Sequence, residues 1–242
     1  MKEEIQKLIN SLRPVKTKFD LIRVGGNNDG GYLIPDDLEG ITGCFSPGVA
    51  DTASFEVDLC KRGIGSHLAD ASVDAPPQKF SPLSFTKKHL GGCNNDTHMT
   101  LMNWVLSKPE YYAKGGLILQ MDIEGGEYTT LLCAPPEILS KFRIIAVEIH
   151  NVHTWFDPFA WPVVTTFFEK LLEDFYVVHN HPNNNCPFID VDGILMPTVF
   201  ELTFLRKDRA EPTGYCTEFP HPLDMPNVLD KPDRPLPEGW YK

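Results

Sequence analysis

Long apolar runs are missing from this chain: no stretch among its 242 residues approaches the roughly 20 that a membrane helix needs. Basic clusters are missing too. With 22 Lys and Arg against 33 Asp and Glu, the formal net charge is -11, a balance that repels phosphate backbones and argues against nucleic acid as a partner. The six cysteines form no CxxC pair, which removes a zinc knuckle. Several sit in apolar runs, where a free thiol behaves as a small hydrophobe, so they read as reduced and the chain as cytoplasmic. A GxGxxG loop and a Tyr-x-x-x-Lys pair are both absent. That lowers the rank of an NAD(P)-dependent sugar oxidoreductase or epimerase. The N-terminus is charged and helical in pattern rather than a signal peptide. With no internal repeat and no long linker, the expectation is a single domain over 1–242, with a helix and hairpin in 1–40 and an extended tail in 208–242.

What is present alternates between strand and helix patterns. The organising stretch is Gly116 to Tyr128, where a buried-strand run from Leu117 to Met121 meets Asp122, Glu124, two glycines and a helix start. Further strands are expected at 41–45, 64–69, 80–90, 143–150, 176–181 and 199–205, and helices at 2–13, 52–62, 99–109, 127–133 and 167–175. The fold class is therefore α/β, a seven-stranded, mostly parallel Rossmann-like sheet with helices on both faces. The last two strands lack a helical connection and are expected to run antiparallel. In such sheets ligands bind beyond the carboxyl ends of the strands. Several polar residues fall at those ends. Gly48 lies in the loop after the first strand, and Asp70 follows about 20 residues later, where an acid takes ribose hydroxyls. Asp122 ends the organising strand. Glu148 and His150 are two apart and so share a face. Upstream, 21–34 reads as a hairpin around a glycine-rich loop. Either it is a plain turn, or its glycines let a ligand approach Arg23, Asp29 or Tyr32.

The ordered set of motifs resembles the FkbM-like family of S-adenosylmethionine-dependent methyltransferases. The residues that carry it are Asp29-Gly30-Gly31-Tyr32, Phe45-Ser46-Pro47-Gly48-Val49 with Phe55-Glu56, Met121-Asp122-Ile123-Glu124-Gly125-Gly126-Glu127, Glu148-Ile149-His150 and His179 to Asn184. The resemblance implies O-methylation of sugars or related hydroxyls. It implies Ser46 and Gly48 near the methionine part of the cofactor, Asp70 on the ribose, and Asp122 beside the sulfonium or acceptor. Arg23, Gly30, Gly31 and Tyr32 complete the expected cofactor set. The common acid-GxGxG motif of the broader class is not kept, since Ser46, Ala50 and Thr52 stand at its acid and later glycine positions.

Methylating a hydroxyl requires aligning it and removing its proton, by a base or by a metal that lowers its pKa. His150 is the expected base, with Asp122 and Glu148 beside it. Alternatively Asp122, Glu148 and His150 hold Mg²⁺ or Mn²⁺. Each has a plainer reading: His150 as a hydrogen-bonded structural residue, Glu124 as a helix cap. The same holds for Trp155, Phe156 and Trp161, which read as core packing or as an aromatic lid. His179 and His181 are expected at the sheet edge, in an acceptor-binding or structural role, with Asn183 to Asn185 offering amides to sugar hydroxyls. A methyltransferase fold serving only as a binding protein remains the non-enzyme alternative. The partner expected is a sugar or glycan acceptor, and a homo-oligomer stays open.

Overall fold

The structure is a computed structural model that describes residues 1–113 and 115–242. The seven strands of its main sheet, numbered in chain order, are β1 Ile41–Pro47, β2 Ser66–Ala69, β3 Leu83–Thr86, β4 Gly116–Met121, β5 Phe142–Ile149, β6 Phe175–Pro182 and β7 Phe200–Arg206. Across the sheet they lie in the order β6-β7-β5-β4-β1-β2-β3. Strands β3, β2, β1, β4 and β5 are mutually parallel, while β7 runs antiparallel to both β5 and β6. This is the expected α/β sheet with its last strand reversed. The β6–β7 connection holds a short hairpin, Phe188–Val191 with Ile194–Pro197, in place of a helix.

The helices are α1 Lys2–Ser11, α2 Ser54–Lys61, α3 Leu101–Leu106, α4 Glu127–Cys133, α5 Pro136–Leu139 and α6 Trp161–Asp174. They divide unequally over the two faces, and strand alternation shows how. On one side Leu117, Leu119 and Met121 of β4, with Ile145 and Val147 of β5, pack against α1, α3, α4, α5 and α6. On the other, Ile118, Ile144 and Ala146 meet Phe55 and Leu59 of α2 and the hairpin Leu21–Val24/Tyr32–Pro35. One helix and a hairpin thus cover what five helices cover opposite. Each fully buried Leu, Ile or Phe contributes about 1.5–3 kcal/mol through lost apolar exposure.

Strand order reverses between the neighbouring parallel strands β1 and β4. From β1 the chain winds outward through β2 and β3, and from β4 it winds the other way through β5. Their carboxyl ends, Pro47 and Met121, therefore release loops that diverge, and a crevice opens there. Residues 208–242 form no long helix or strand; they run along the surface in short turns, yet bury Asn227, Leu236 and Trp240.

Candidate active site at the crevice between β1 and β4

The loops after β1 and β4 touch. Gly48 has φ +84, and a Cβ there would fall 1.5 Å from the Asp122 carbonyl oxygen. Only glycine permits both the backbone conformation and that approach. Beside the contact lies a cleft of about 410 Å³, lined among others by Gly48, Asp70, His89, His98, Asp122 and Glu124. The size suits a cofactor-sized ligand. An annexe of about 110 Å³ shares Gly48, Ala50, Asp122 and Glu124 and extends to Asp29, Gly30, Tyr32 and Glu56. A larger hollow of about 570 Å³ between α1 and α6 gathers Glu4, Lys7, Trp161 and Glu169, far from this rim. Its carboxylates, Glu4, Glu169 and Glu173, are exposed, and no histidine is among its described lining residues, so the crevice is the better candidate.

Asp70 follows β2 and is almost fully buried. Its Oδ2 accepts from the Ala50 amide at 2.9 Å, and its Oδ1 accepts from the Ser72 amide at 2.7 Å and hydroxyl at 2.6 Å. Burial alone would raise this carboxyl, but the Ser72 hydroxyl and the two amides outweigh it and hold the group below its ordinary value.

Five side chains converge at the ends of β4 and β5. His150 Nδ1 lies 3.1 Å from Glu127 Oε1, while Nε2 faces Glu124 at 3.4 Å, Glu148 at 3.7 Å and Asp122 at 3.8 Å. The backbone of His150 is held as well, because Tyr128 donates its hydroxyl to the His150 carbonyl at 3.1 Å and accepts from the Trp155 indole at 3.0 Å. Burial opposes a charge on His150, but Glu127, Asp122 and Glu124 win and lift the ring above its ordinary value. Burial also pushes Asp122 up, to about 6, against the pull of His150. Glu148 is pushed well above its ordinary value too, first through burial and then through the charges of Asp122 and Glu201. Asn183 donates to its Oε1 at 2.7 Å.

Of the expected site residues, Gly48, Asp70 and Asp122 line the cleft, while His150 and Glu148 stand behind its wall, His150 Nε2 lying 3.8 Å from Asp122 and 3.7 Å from Glu148. Gly30 and Tyr32 reach the annexe. Ser46 does not reach the cleft. Strand alternation turns it under α2, fully buried, where it hydrogen-bonds Glu56 and Gln120. Arg23 is spent on its own hairpin, donating to the carbonyls of Gly26 at 2.7 Å and Asn28 at 3.1 Å. Gly31 packs against Gly26, where a Cβ would come within 2.1 Å of the carbonyl, so it shapes the turn rather than the cleft. Trp155 is fully buried beside Phe168 and Phe200, which makes it core rather than a lid.

In the sequence Glu127 stands out only as part of the Met121 to Glu127 motif, with no role in the site. It is fully buried, and it faces His150. Its spacing from Asp122, five residues across a double-glycine turn, was the available signal. His89 and His98, neither expected in the cleft, come from the irregular 75–98 segment, where no periodicity marks them.

As candidate metal ligands, Asp122, Glu127 and His150 each offer one atom within 4.8 Å of the others. The set differs from the expected one by Glu127 in place of Glu148, which nevertheless stands 3.7 Å from Nε2. Asp122 Oδ1 and Glu127 Oε2 are buried without a hydrogen-bond partner. Oxygen-rich donors with unfilled lone pairs fit a hard divalent cation.

A second polar network lies at the edge. The tail supplies Asp224 to His179 at 2.8 Å and Asp233 to His181 at 2.9 Å, and Asn227 donates to Glu201 at 2.8 Å. The Asn184 amide is fully used by tail backbone at Val228 and Lys231, which removes it from sugar binding.

No protein-family model matches the chain, so the FkbM-like resemblance rests on the motifs alone. No curated protein matches it. Among solved structures it is similar to a putative RNA methyltransferase from Pyrococcus horikoshii, with 11% identity, 70% of this chain and 76% of that chain covered, and a TM-score of 0.33. It is also similar to magnesium protoporphyrin IX methyltransferase from Synechocystis with bound SAM, with 11% identity, coverages of 70% and 72%, and a TM-score of 0.30. Neither likeness is close enough to place a ligand or substrate, so function is read from the site.

Proposed function

We propose that the protein is an S-adenosylmethionine-dependent O-methyltransferase acting on a hydroxyl of a sugar or glycan. The observation that carries this is that Gly48, Asp70 and Asp122, distant in sequence, line one crevice at the switch point of the sheet, with His150 Nε2 3.8 Å behind Asp122. Charge supports it. The crevice presents Asp70, Asp122 and Glu124, and among the described residues no Lys or Arg lines it. A sulfonium cation is attracted to such a rim, whereas the pyrophosphate of NAD(P) is repelled.

Bound in the cleft, S-adenosylmethionine would supply a methyl group activated by its positive sulfur. Asp70 has the two acceptor oxygens that vicinal ribose hydroxyls need; of its present donors, the Ser72 hydroxyl is the one free to rotate away. His150, with Nδ1 toward Glu127, turns Nε2 to the rim, where it can take a proton from an acceptor hydroxyl. The carboxylates there also suit the donors of a polyhydroxylated acceptor.

The metal-assisted reading is the second one, and a specific observation favours it. The Nε2–carboxylate separations of 3.4 to 3.8 Å lie at or beyond the limit of hydrogen bonding, yet suit ligands sharing one Mg²⁺ or Mn²⁺. A purely non-catalytic role explains neither this concentration of buried acid nor its opening to a cleft.

Calorimetry with S-adenosylmethionine and NAD separates the readings, followed by a glycan acceptor screen with labelled cofactor, with and without chelator. Binding of the first and not the second is expected. NAD binding alone, or no binding of either, would overturn the proposal. Loss of transfer on chelation, restored by Mn²⁺, would select the metal-assisted form.

A further inference from the structure

We infer that Glu127 is a positioning residue: it fixes the His150 ring as the Nδ1–H tautomer, leaving the Nε2 lone pair aimed at the rim. Glu127 begins α4, is fully buried, and reaches back across the Gly125-Gly126 turn. Its Oε1 accepts from the Ile123 amide at 2.9 Å and faces His150 Nδ1 at 3.1 Å. Oε1 already accepts the Ile123 amide hydrogen and so is an acceptor, and the nitrogen facing it carries the proton. The opposite nitrogen faces only carboxylates, none closer than 3.4 Å, which leaves it open to an acceptor hydroxyl or a cation.

Capping Ile123 does not explain the residue. A neutral Gln would satisfy one amide, and here the second oxygen, Oε2, is buried with no partner. Leaving a carboxylate oxygen unsatisfied in the interior is costly, so a plain cap would favour the amide. A second donor on the same oxygen accounts for the residue: Oε1 meets both the Ile123 amide and His150 Nδ1. The ring is otherwise constrained only through its backbone, where the Trp155–Tyr128 chain holds the carbonyl and leaves the tautomer free. Were Nε2 to ligate a cation, Glu127 would stand behind the ring as acceptor of its far N–H rather than as a ligand, with Asp122 and Glu148 on the Nε2 side.

The first test needs no substitution. Long-range ¹H–¹⁵N correlation spectra of the wild-type protein, taken where His150 is neutral, should show Nδ1–H; the Nε2–H form would overturn the inference. Two variants follow. Glu127→Gln can keep Oε1 as the acceptor for both N–H groups and should retain the tautomer. Glu127→Met, similar in volume, removes the acceptor and should release the ring to the other form. In Glu127→Met, kcat should fall about 10- to 100-fold while the Kd for S-adenosylmethionine stays unchanged. An unaltered tautomer and kcat in a folded Glu127→Met would refute the positioning role. The kinetic arm rests on the proposed function and the spectroscopic arm does not. A protein that fails to bind S-adenosylmethionine but shows Nδ1–H therefore sinks the function and not this inference.

Discussion

Replacing Gly48 by Ala tests the contact on which the crevice depends. Two costs add. At φ +84 a non-glycine residue costs about 1–2 kcal/mol in backbone strain. The new Cβ would also lie 1.5 Å from the Asp122 carbonyl oxygen, 2.6 Å from its carbon and 3.0 Å from Ile123 Cγ2. To restore ordinary contact, the β4 loop must retreat by about 2 Å, an overpacking cost of about 1–3 kcal/mol. The total is about 2–5 kcal/mol. Gly63 supplies the control, with φ +83 and no atom within 4 Å of its would-be Cβ, so Gly63→Ala carries the backbone cost alone. Urea unfolding of the two variants isolates the clash by difference, and calorimetry with S-adenosylmethionine reads its effect on the cleft. Gly48→Ala should lose more stability and should lose binding, because the movement carries Asp122 away from Asp70. Equal losses of stability, within about 0.5 kcal/mol, with binding kept, would refute the reasoning.

Three other substitutions follow from the same geometry. Asp70→Asn removes the charge and one acceptor; the affinity for S-adenosylmethionine should fall by about 1–3 kcal/mol, read by calorimetry, and an unchanged affinity would place Asp70 outside the site. Burial raises Glu56 to about 7 against the Ser46 hydrogen bond, so between its unfolded value of 4.5 and about 7 the folded chain keeps a proton that the unfolded chain releases, and stability falls as pH rises. Glu56→Gln should therefore match wild type below about pH 4 and exceed it at about pH 8 by on the order of 3 kcal/mol, measured by urea unfolding; a variant less stable at high pH would contradict this. His181 is lifted to about 9 although burial opposes it, through Asp233 first and then Glu201 and Asp224. Its stabilisation is complete below 6.5 and lost as pH rises through 9, so Asp233→Asn should speed proteolysis of the tail at pH 6 and change it little near pH 10.

The sheet was legible because its strands are buried on both faces and read as apolar runs closed by polar punctuation. In β4 and β5, where every residue is buried, the pattern located both strands to within a residue at each end. The crevice followed from the same logic, since Gly48, Asp70 and Asp122 stand where strands stop. Ser46 was misplaced because a motif position carries no information about which face a side chain takes. Counting alternation from Phe45, which packs on the helix-rich face, would have sent Ser46 to the other. Arg23 was misplaced because a guanidinium in a glycine-rich loop has backbone carbonyls to satisfy before any ligand. The Glu127–His150 and His179–Asp224 pairs join residues 23 and 45 positions apart, and no local pattern encodes such a meeting.

The charge of the rim follows from sheet register. Glu148 on β5 stands directly opposite Glu201 on β7, and Glu201 stands opposite His181 on β6. Like charges facing each other across strands destabilise a sheet. Here burial raises Glu201 to about 7 and lifts Glu148 as well, while Asp233 and then Glu201 and Asp224 lift His181 against its burial, so the row is eased by retained protons. Asp122, raised to about 6, continues the row to the mouth of the cleft. A positively charged ligand at Asp122 lowers the cost of ionising that carboxyl, and a negatively charged one raises it. Such a row favours a sulfonium or a divalent cation over a pyrophosphate before any specific contact is made, and it ties the tail that supplies Asp224 and Asp233 to the electrostatics of the candidate site.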